Sequence, residues 1–253
     1  MKELAFTTRE KLILSGLYLS KFDTAAINRL GFDSFIEAFN VIGYALGSRP
    51  ASIKNYRDEF DPLFPNRRKG WHKRATREYC LLLFEQYRHL DIDEFTGLVK
   101  SFFIGDGTLL PEAEGRDLAQ DRPSAFAQRL ATGAAAEHYF ASIHPEIPTF
   151  SGLLMENTTL YGCGYDFRFR RAPEHQEFLA VEVKGLSSQT GSLSMTPKEY
   201  EAAAALRERF FLFVVRNFRE KPSHSIFRDP IGAGLEFKRT ERTILQVSWL
   251  TSV

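Results

Sequence analysis

The run Phe178-Leu179-Ala180-Val181-Glu182-Val183-Lys184-Gly185 sets a carboxylate and an ammonium two positions apart in an otherwise apolar stretch. Side chains of a β-strand alternate between its two faces. As a strand, this run puts Leu179, Val181 and Val183 on one face and Ala180, Glu182 and Lys184 on the other. Gly185 then lets the chain turn away. A second acid, Asp166, follows the small residues Gly162-Cys163-Gly164. The segment Ala172-Pro173-Glu174-His175-Gln176 reads as a short turn, so the strands on either side of it form a hairpin in which Asp166 can face Glu182. Two carboxylates held that close repel unless a cation lies between them. Hard oxygen ligands suit Mg²⁺ or Mn²⁺. Such a metal lowers the pKa of a bound water and stabilises negative charge on a phosphate. Lys184 would orient that water or neutralise charge at phosphorus, and Glu137, on a helix upstream, would add a further ligand. A plainer reading stands beside this one. Glu-X-Lys on a strand commonly marks a solvated face with an ion pair, and a single Asp in a hairpin is commonly a surface residue. The residues alone leave both readings open.

The elements that must position these groups follow from capping and periodicity. Ser124 starts a helix that runs to about Ile143 and carries Glu137; Pro145 and Pro148 end it. Strands are expected at Tyr165–Arg170, Phe178–Lys184, Phe210–Val215 and Thr243–Trp249. Thr196-Pro197-Lys198-Glu199 is a capping box with proline in the first turn, opening an alanine-rich helix from Tyr200 to Arg209. The order helix, strand, strand, helix, strand implies a mixed sheet flanked by helices.

The first hundred residues read as helices throughout. Thr7 with Glu10 caps the apolar run Leu12 to Leu19, and Ser34 with Glu37 caps a second helix that Gly47 stops. Pro50 opens a third, ended by Asp61, Pro62, Pro65 and Asn66, and two more follow near Thr76–Arg88 and Ile92–Phe103. The fold class is therefore α+β, with a helical domain at 1–104, a linker at 105–123 rich in glycine, proline and acid, and an α/β domain at 124–253.

Composition narrows the class further. The chain has 23 Phe among 253 residues, so its core should be aromatic-rich. Two lone thiols, Cys80 and Cys163, form no CxxC pair, which argues against a cysteine zinc site and fits the reducing cytosol. No run of apolar residues is long enough to span a membrane, and the N-terminus lacks the pattern of a signal peptide. A cytoplasmic protein is expected. A net charge of +1 says nothing about nucleic acid for the chain as a whole.

Locally the charge is uneven. Arg49, Lys54, Arg57, Arg67, Arg68, Lys69, Lys73, Arg74 and Arg77 face only Asp58, Glu59 and Asp61. The turn Gly47-Ser48-Arg49 between two helices has helix-turn-helix spacing. On that reading Arg49, Ser52, Lys54, Asn55 and Arg57 would meet DNA phosphates or bases. Arg67, Arg68, Lys69, Trp71, Lys73 and Arg74 would form a cationic loop suited to a backbone or a base stack. The bland alternatives are a solvated basic face and a core role for Trp71.

Gly164-Tyr165-Asp166-Phe167, Val181-Glu182-Val183-Lys184-Gly185, Leu193 to Glu199 and Phe211 to Asn217 resemble the C-terminal domain of the NO VEIN proteins. That domain is similar to the PD-(D/E)XK phosphodiesterase superfamily, which includes restriction endonucleases and Mrr-like enzymes. The resemblance covers roughly residues 125–230. It implies a restriction-endonuclease-like core and Mg²⁺-dependent cleavage of a phosphodiester, usually in DNA. It matches Asp166, Glu182 and Lys184 to the motif residues and Glu137 to the acid often found on the first helix. Tyr165 stands where the motif name has proline. Gln189 or Thr196 would lie near such a site, though Thr196 is better read as a helix cap. The expectation is a DNA endonuclease of restriction or anti-phage type. Mg²⁺ or Mn²⁺ would be bound by Asp166, Glu182 and Glu137, double-stranded DNA would be the partner, and a homodimer would cut both strands. A non-catalytic DNA-binding protein on a nuclease-like scaffold, or an RNA-acting defence nuclease, would carry the same residues.

Overall fold

Reciprocal hydrogen bonds at Thr7 cap the first helix. The Thr7 hydroxyl accepts from Glu10 N at 3.3 Å, and Glu10 Oε2 accepts from Thr7 N at 2.8 Å. They open helix α1, Thr8–Leu30, which continues well past the apolar run that predicts it. It bends at Asp23, where φ is 51°, and ends at Gly31 with φ 85°. Helix α2, Phe35–Ala45, opens at Ser34, whose hydroxyl accepts from Glu37 N at 3.1 Å. In return, Glu37 Oε2 accepts from Asp33 N, at 2.9 Å, and not from Ser34 N. Helix α3, Pro50–Phe60, has its proline in the first turn, where a missing N–H costs nothing. Helices α4, Glu78–Tyr87, and α5, Ile92–Ser101, complete the helical half. The computed structural model describes residues 6–66, 68, 70, 74–103 and 123–241. The connection at 105–122, the strand expected at Thr243–Trp249, and Arg67, Lys69, Trp71 and Lys73 lie outside the described residues.

Helix α6, Pro123–Ile143, already includes Pro123, so Ser124 lies inside it and is not its cap. Five strands follow among the described residues: β1 Leu154–Asn157, β2 Phe167–Arg170, β3 Leu179–Gly185, β4 Phe210–Arg216 and β5 Ser223–Arg228. Their spatial order is their chain order. All neighbours are antiparallel except β3 and β4, which are parallel. A parallel neighbour needs a crossover, and helix α7, Pro197–Leu206, supplies it. The result is the expected α+β architecture with a mixed sheet flanked by helices. Strands β1 and β5 are the two that the sequence pattern misses. Leu-Met-Glu-Asn and Ser-His-Ser-Ile-Phe-Arg are short or polar, as edge strands tend to be.

One hydrophobic core runs from the helical half into the sheet. Leu14, Leu17, Tyr18, Phe60 and Phe95 belong to the same cluster as Phe140, Phe150, Phe169 and Phe213. Phe140 of α6 is its aromatic hub, with ring centroids 4.7 Å from Phe213 and 5.1 Å from Phe167. Across the sheet Val181, Val183, Phe211, Phe213 and Val215 face α6, whereas Ala180 and Phe210 pack with Ala203 of α7. A polar link adds to the apolar one: buried Asn40 of α2 donates to the carbonyls of Phe218 and Glu220, at 2.8 and 2.9 Å. No described helix is long and apolar enough to cross a membrane.

Candidate active site

The β2–β3 register decides where the two motif acids stand. The first paired residues are Phe167 and Val181. Asp166, one step earlier, therefore lies opposite Glu182. Asp166 N donates to Val181 O at 3.0 Å, and its carbonyl accepts from Thr158 N at 2.8 Å. Beyond this point β2 no longer lines β3. Asp166 Oδ2 takes over and accepts from Val183 N at 2.8 Å. The carboxylate is thus held by a backbone donor at the open edge of β3, so its position follows from the sheet and not from a mobile loop.

Strand alternation puts Glu182 and Lys184 together on the α7 face, as read from the sequence. Lys184 Nζ lies 2.7 Å from Glu182 Oε1 and 2.7 Å from Glu199 Oε2. Glu199 is the acid of the α7 capping box, and its Oε2 also accepts from Thr196 N at 3.1 Å. Its second role escapes a sequence reading that assigns it to the cap alone. The signal was the crossover: a β-α-β unit brings the helix N-terminus to the C-terminal ends of its strands, and Lys184 is near that end of β3. Thr196 is a helix cap, and its hydroxyl accepts from Glu199 N at 3.3 Å. Gln189 is exposed.

The electrostatics are those of crowded acids. Burial lifts Glu182 well above the usual carboxylate range, and the charges of Asp166 and Glu199 add to this against the pull of Lys184. On α6, Glu137 is pushed up to about 8 by burial and then by Asp166, again with Lys184 opposing. Glu182 and Glu199 thus contact the Lys184 ammonium, Asp166 acts electrostatically on Glu182 and Glu137, and Lys184 acts on Glu137 as well. As the side chains stand, no group of three or more His, Cys, Asp or Glu among the described residues is disposed to hold a metal ion. The donor chemistry nonetheless fits a hard divalent cation. The donors are all oxygens, they carry excess negative charge, and the charge of Asp166 helps to raise both Glu182 and Glu137, a cost that a cation reverses.

Two glycines permit this packing. Gly164 has φ +84°, and a Cβ there would collide with the Lys198 carbonyl oxygen and come within 2.8 Å of its carbon. Gly185 lets α6 close on β3, since its Cβ would sit 2.7 Å from Thr132 O. Gly164→Ala is expected to destabilise the fold by about 1–3 kcal/mol in urea unfolding. It should also displace Asp166, two residues on. Wild-type stability in that variant would show that the 162–166 loop can relax away from α7.

The basic residues of the helical half are placed unevenly. Arg57 is 11% exposed, pairs with Asp58 at 2.6 Å and lies over the rings of Phe35 and Phe39. Arg68 is 19% exposed and holds buried Asp61 at 2.7 Å and Asp23 at 2.6 Å. Ser52 accepts a hydrogen bond from Ser48. Arg49, Lys54, Asn55 and Arg74 are exposed, with Lys54 3.3 Å from Asp58. Internal pairing thus takes up Arg57 and Arg68, two of the cations read as DNA contacts.

Residues 136–227 match the profile of the family described as Protein NO VEIN, C-terminal. The matched segment contains Glu137, Asp166, Glu182, Lys184 and Glu199. No curated protein and no solved structure matches the chain.

Proposed function

We propose that this chain is a Mg²⁺- or Mn²⁺-dependent phosphodiesterase of the PD-(D/E)XK kind, acting on DNA in restriction or anti-phage defence. The observation that carries this reading is the register that sets Asp166 opposite Glu182, with Lys184 beside Glu182 near the C-terminal end of the central strand β3. The match to a nuclease-like family over the same residues supports it. Asp166 and Glu182 would hold the metal, with Glu137 as the further acid. The bound metal would lower the pKa of a water and stabilise charge on the phosphate. Lys184, steadied between Glu182 and Glu199, would place its ammonium against the phosphate oxygens that gain charge. Exposed Arg49, Lys54 and Asn55 on and beside α3 would position the duplex through its backbone. Because one such site addresses one strand, cutting both would call for a homodimer.

A second reading, a nucleic-acid-binding protein that does not cut, is favoured by one observation: Lys184 already satisfies Glu182 internally. Cleavage assays separate the two. Plasmid DNA, linear duplex DNA and single-stranded RNA are incubated with Mg²⁺, with Mn²⁺ and with excess EDTA. The expected result is metal-dependent cutting of DNA that EDTA abolishes and added Mg²⁺ restores. Tight DNA binding with no cutting under either metal would establish the second reading, and cutting confined to RNA would replace DNA as the substrate.

A further inference from the structure

We propose that Arg216, at the C-terminal end of β4, binds a phosphate of the substrate chain beside the acidic site. The inference rests on the phosphodiesterase reading and adds a substrate-binding residue to it. Parallel pairing sets Glu182 against Leu212 and Lys184 against Val214. By alternation Arg216 is the next residue of β4 on that same face. Two residues along the strand and one strand across put its Cα ~8 Å from that of Lys184, within reach of a long guanidinium side chain. The backbone there is fixed on both sides. Leu186 N donates to Val215 O, Asn217 N donates to Ser188 O, and Arg216 pairs with Ser223 of β5.

The state of the side chain is what points to a ligand. Arg216 is half-buried, and its Nε is sealed from solvent without an acceptor among the described residues. Other partly buried arginines of this chain have carboxylates: Arg57 has Asp58, Arg68 has Asp61, Arg77 has Glu59 and Arg168 has Glu156. Buried donors in native proteins are nearly always satisfied, so an orphan calls for a partner. The acids grouped around Lys184 do not provide it. An anion that meets the accessible part of this half-buried side chain does, once the guanidinium turns to bring Nε to it, and a guanidinium fork matches phosphate oxygens in pairs. A polyanionic chain approaching these acids also needs a cation besides Lys184, which is already engaged by two of them.

The test measures binding of a short duplex DNA oligonucleotide in EDTA by fluorescence anisotropy across a salt series, for wild type, Arg216→Met and Arg216→Lys. The methionine variant should bind roughly tenfold more weakly or worse. Its plot of log affinity against log salt should be shallower by about 0.9, the share of one phosphate contact on duplex DNA. Arg216→Lys should keep the slope and lose part of the affinity, because the charge remains and the fork is gone. Neither variant should lower the unfolding midpoint, since Arg216 Nε has no partner among the described residues to lose. An unchanged salt slope in Arg216→Met overturns the proposal, and a fall in stability with that unchanged slope marks a structural role instead. If Arg216→Met does not fold, a wild-type affinity in Arg216→Lys overturns it equally. Failure of the activity reading looks different: wild type binds the oligonucleotide with the expected slope but cuts nothing with Mg²⁺. Metal-dependent cutting by wild type with identical KM in Arg216→Met would sink the Arg216 proposal alone.

Discussion

Replacing Lys184 with alanine should slow metal-dependent DNA cleavage by roughly 10²–10³-fold, the usual loss when one preorganised charge facing a developing oxyanion is removed. The fold should survive. Lys184 faces Glu182 and Glu199, so its removal leaves acids without their cation. Burial already holds Glu182 well above the ordinary carboxylate range. It would therefore take up a proton and not persist as a bare buried charge. Asp166→Asn should bring a loss of at least the same order, because Asp166 is fixed by Val183 N at 2.8 Å directly opposite Glu182 and would be a metal ligand. Initial rates at saturating Mg²⁺ give the effect, and urea unfolding of the same preparations shows that structure is retained. A wild-type rate in Lys184→Ala would return the strand pair to an ordinary ion pair, the plain reading of Glu-X-Lys.

The largest expected effect on stability lies elsewhere, where α3 meets the start of α4. Glu59 is buried and accepts from Arg77 N at 2.8 Å and from Arg77 Nε at 2.9 Å; the guanidinium also lies over the rings of Tyr56 and Tyr79. Burial alone would raise the pKa of Glu59, but the hydrogen bonds and charge of Arg77 outweigh it and hold the carboxyl below its usual value. Arg77→Ala leaves that carboxylate buried without its cation and should cost about 3–5 kcal/mol at neutral pH. The sign of the pH dependence follows from the depressed value. In wild type the contribution of Glu59 is fully present above its unfolded pKa, about 4.3, and is lost as pH falls through the lower folded value. The gap between wild type and variant should therefore narrow as the pH is taken below about 4. Urea unfolding at neutral and acid pH measures both. A gap below about 1 kcal/mol at neutral pH, the scale of an exposed pair, would show that Glu59 finds water or another donor when Arg77 is gone. Nearby Cys80 is pushed up to about 12 by burial and by Glu59, so it should stay a thiol and resist alkylation in the folded protein.

Local rules were legible along the chain because capping and alternation act over three or four residues. The capping boxes at Thr7 and Thr196 are formed by both of their hydrogen bonds. The split of Val181 and Val183 from Glu182 and Lys184 across β3 follows from strand geometry alone. The limits of such rules are equally plain. Strands β1 and β5 lack the apolar alternation that announces a strand, since an edge strand has only one neighbour to satisfy. The continuation of α1 to Leu30 depends on a bend at Asp23 that periodicity does not report.

For the candidate site, the sequence by itself determined the identities and the faces. A carboxylate and an ammonium two residues apart on a strand must point the same way, and a hairpin turn must bring Asp166 back toward them. Tertiary structure decided the rest, because contacts distant along the chain are set by packing and register. Only the β2–β3 register fixes Asp166 opposite Glu182. Only the crossover through α7 turns the cap residue Glu199 into a partner of Lys184. Internal pairing settles Arg57 and Arg68 against neighbouring acids, while Arg216, unremarkable in sequence, is left half-buried on the face of Glu182 and Lys184. Charge can be counted in a sequence, but whether a charge has a partner depends on what the fold sets beside it.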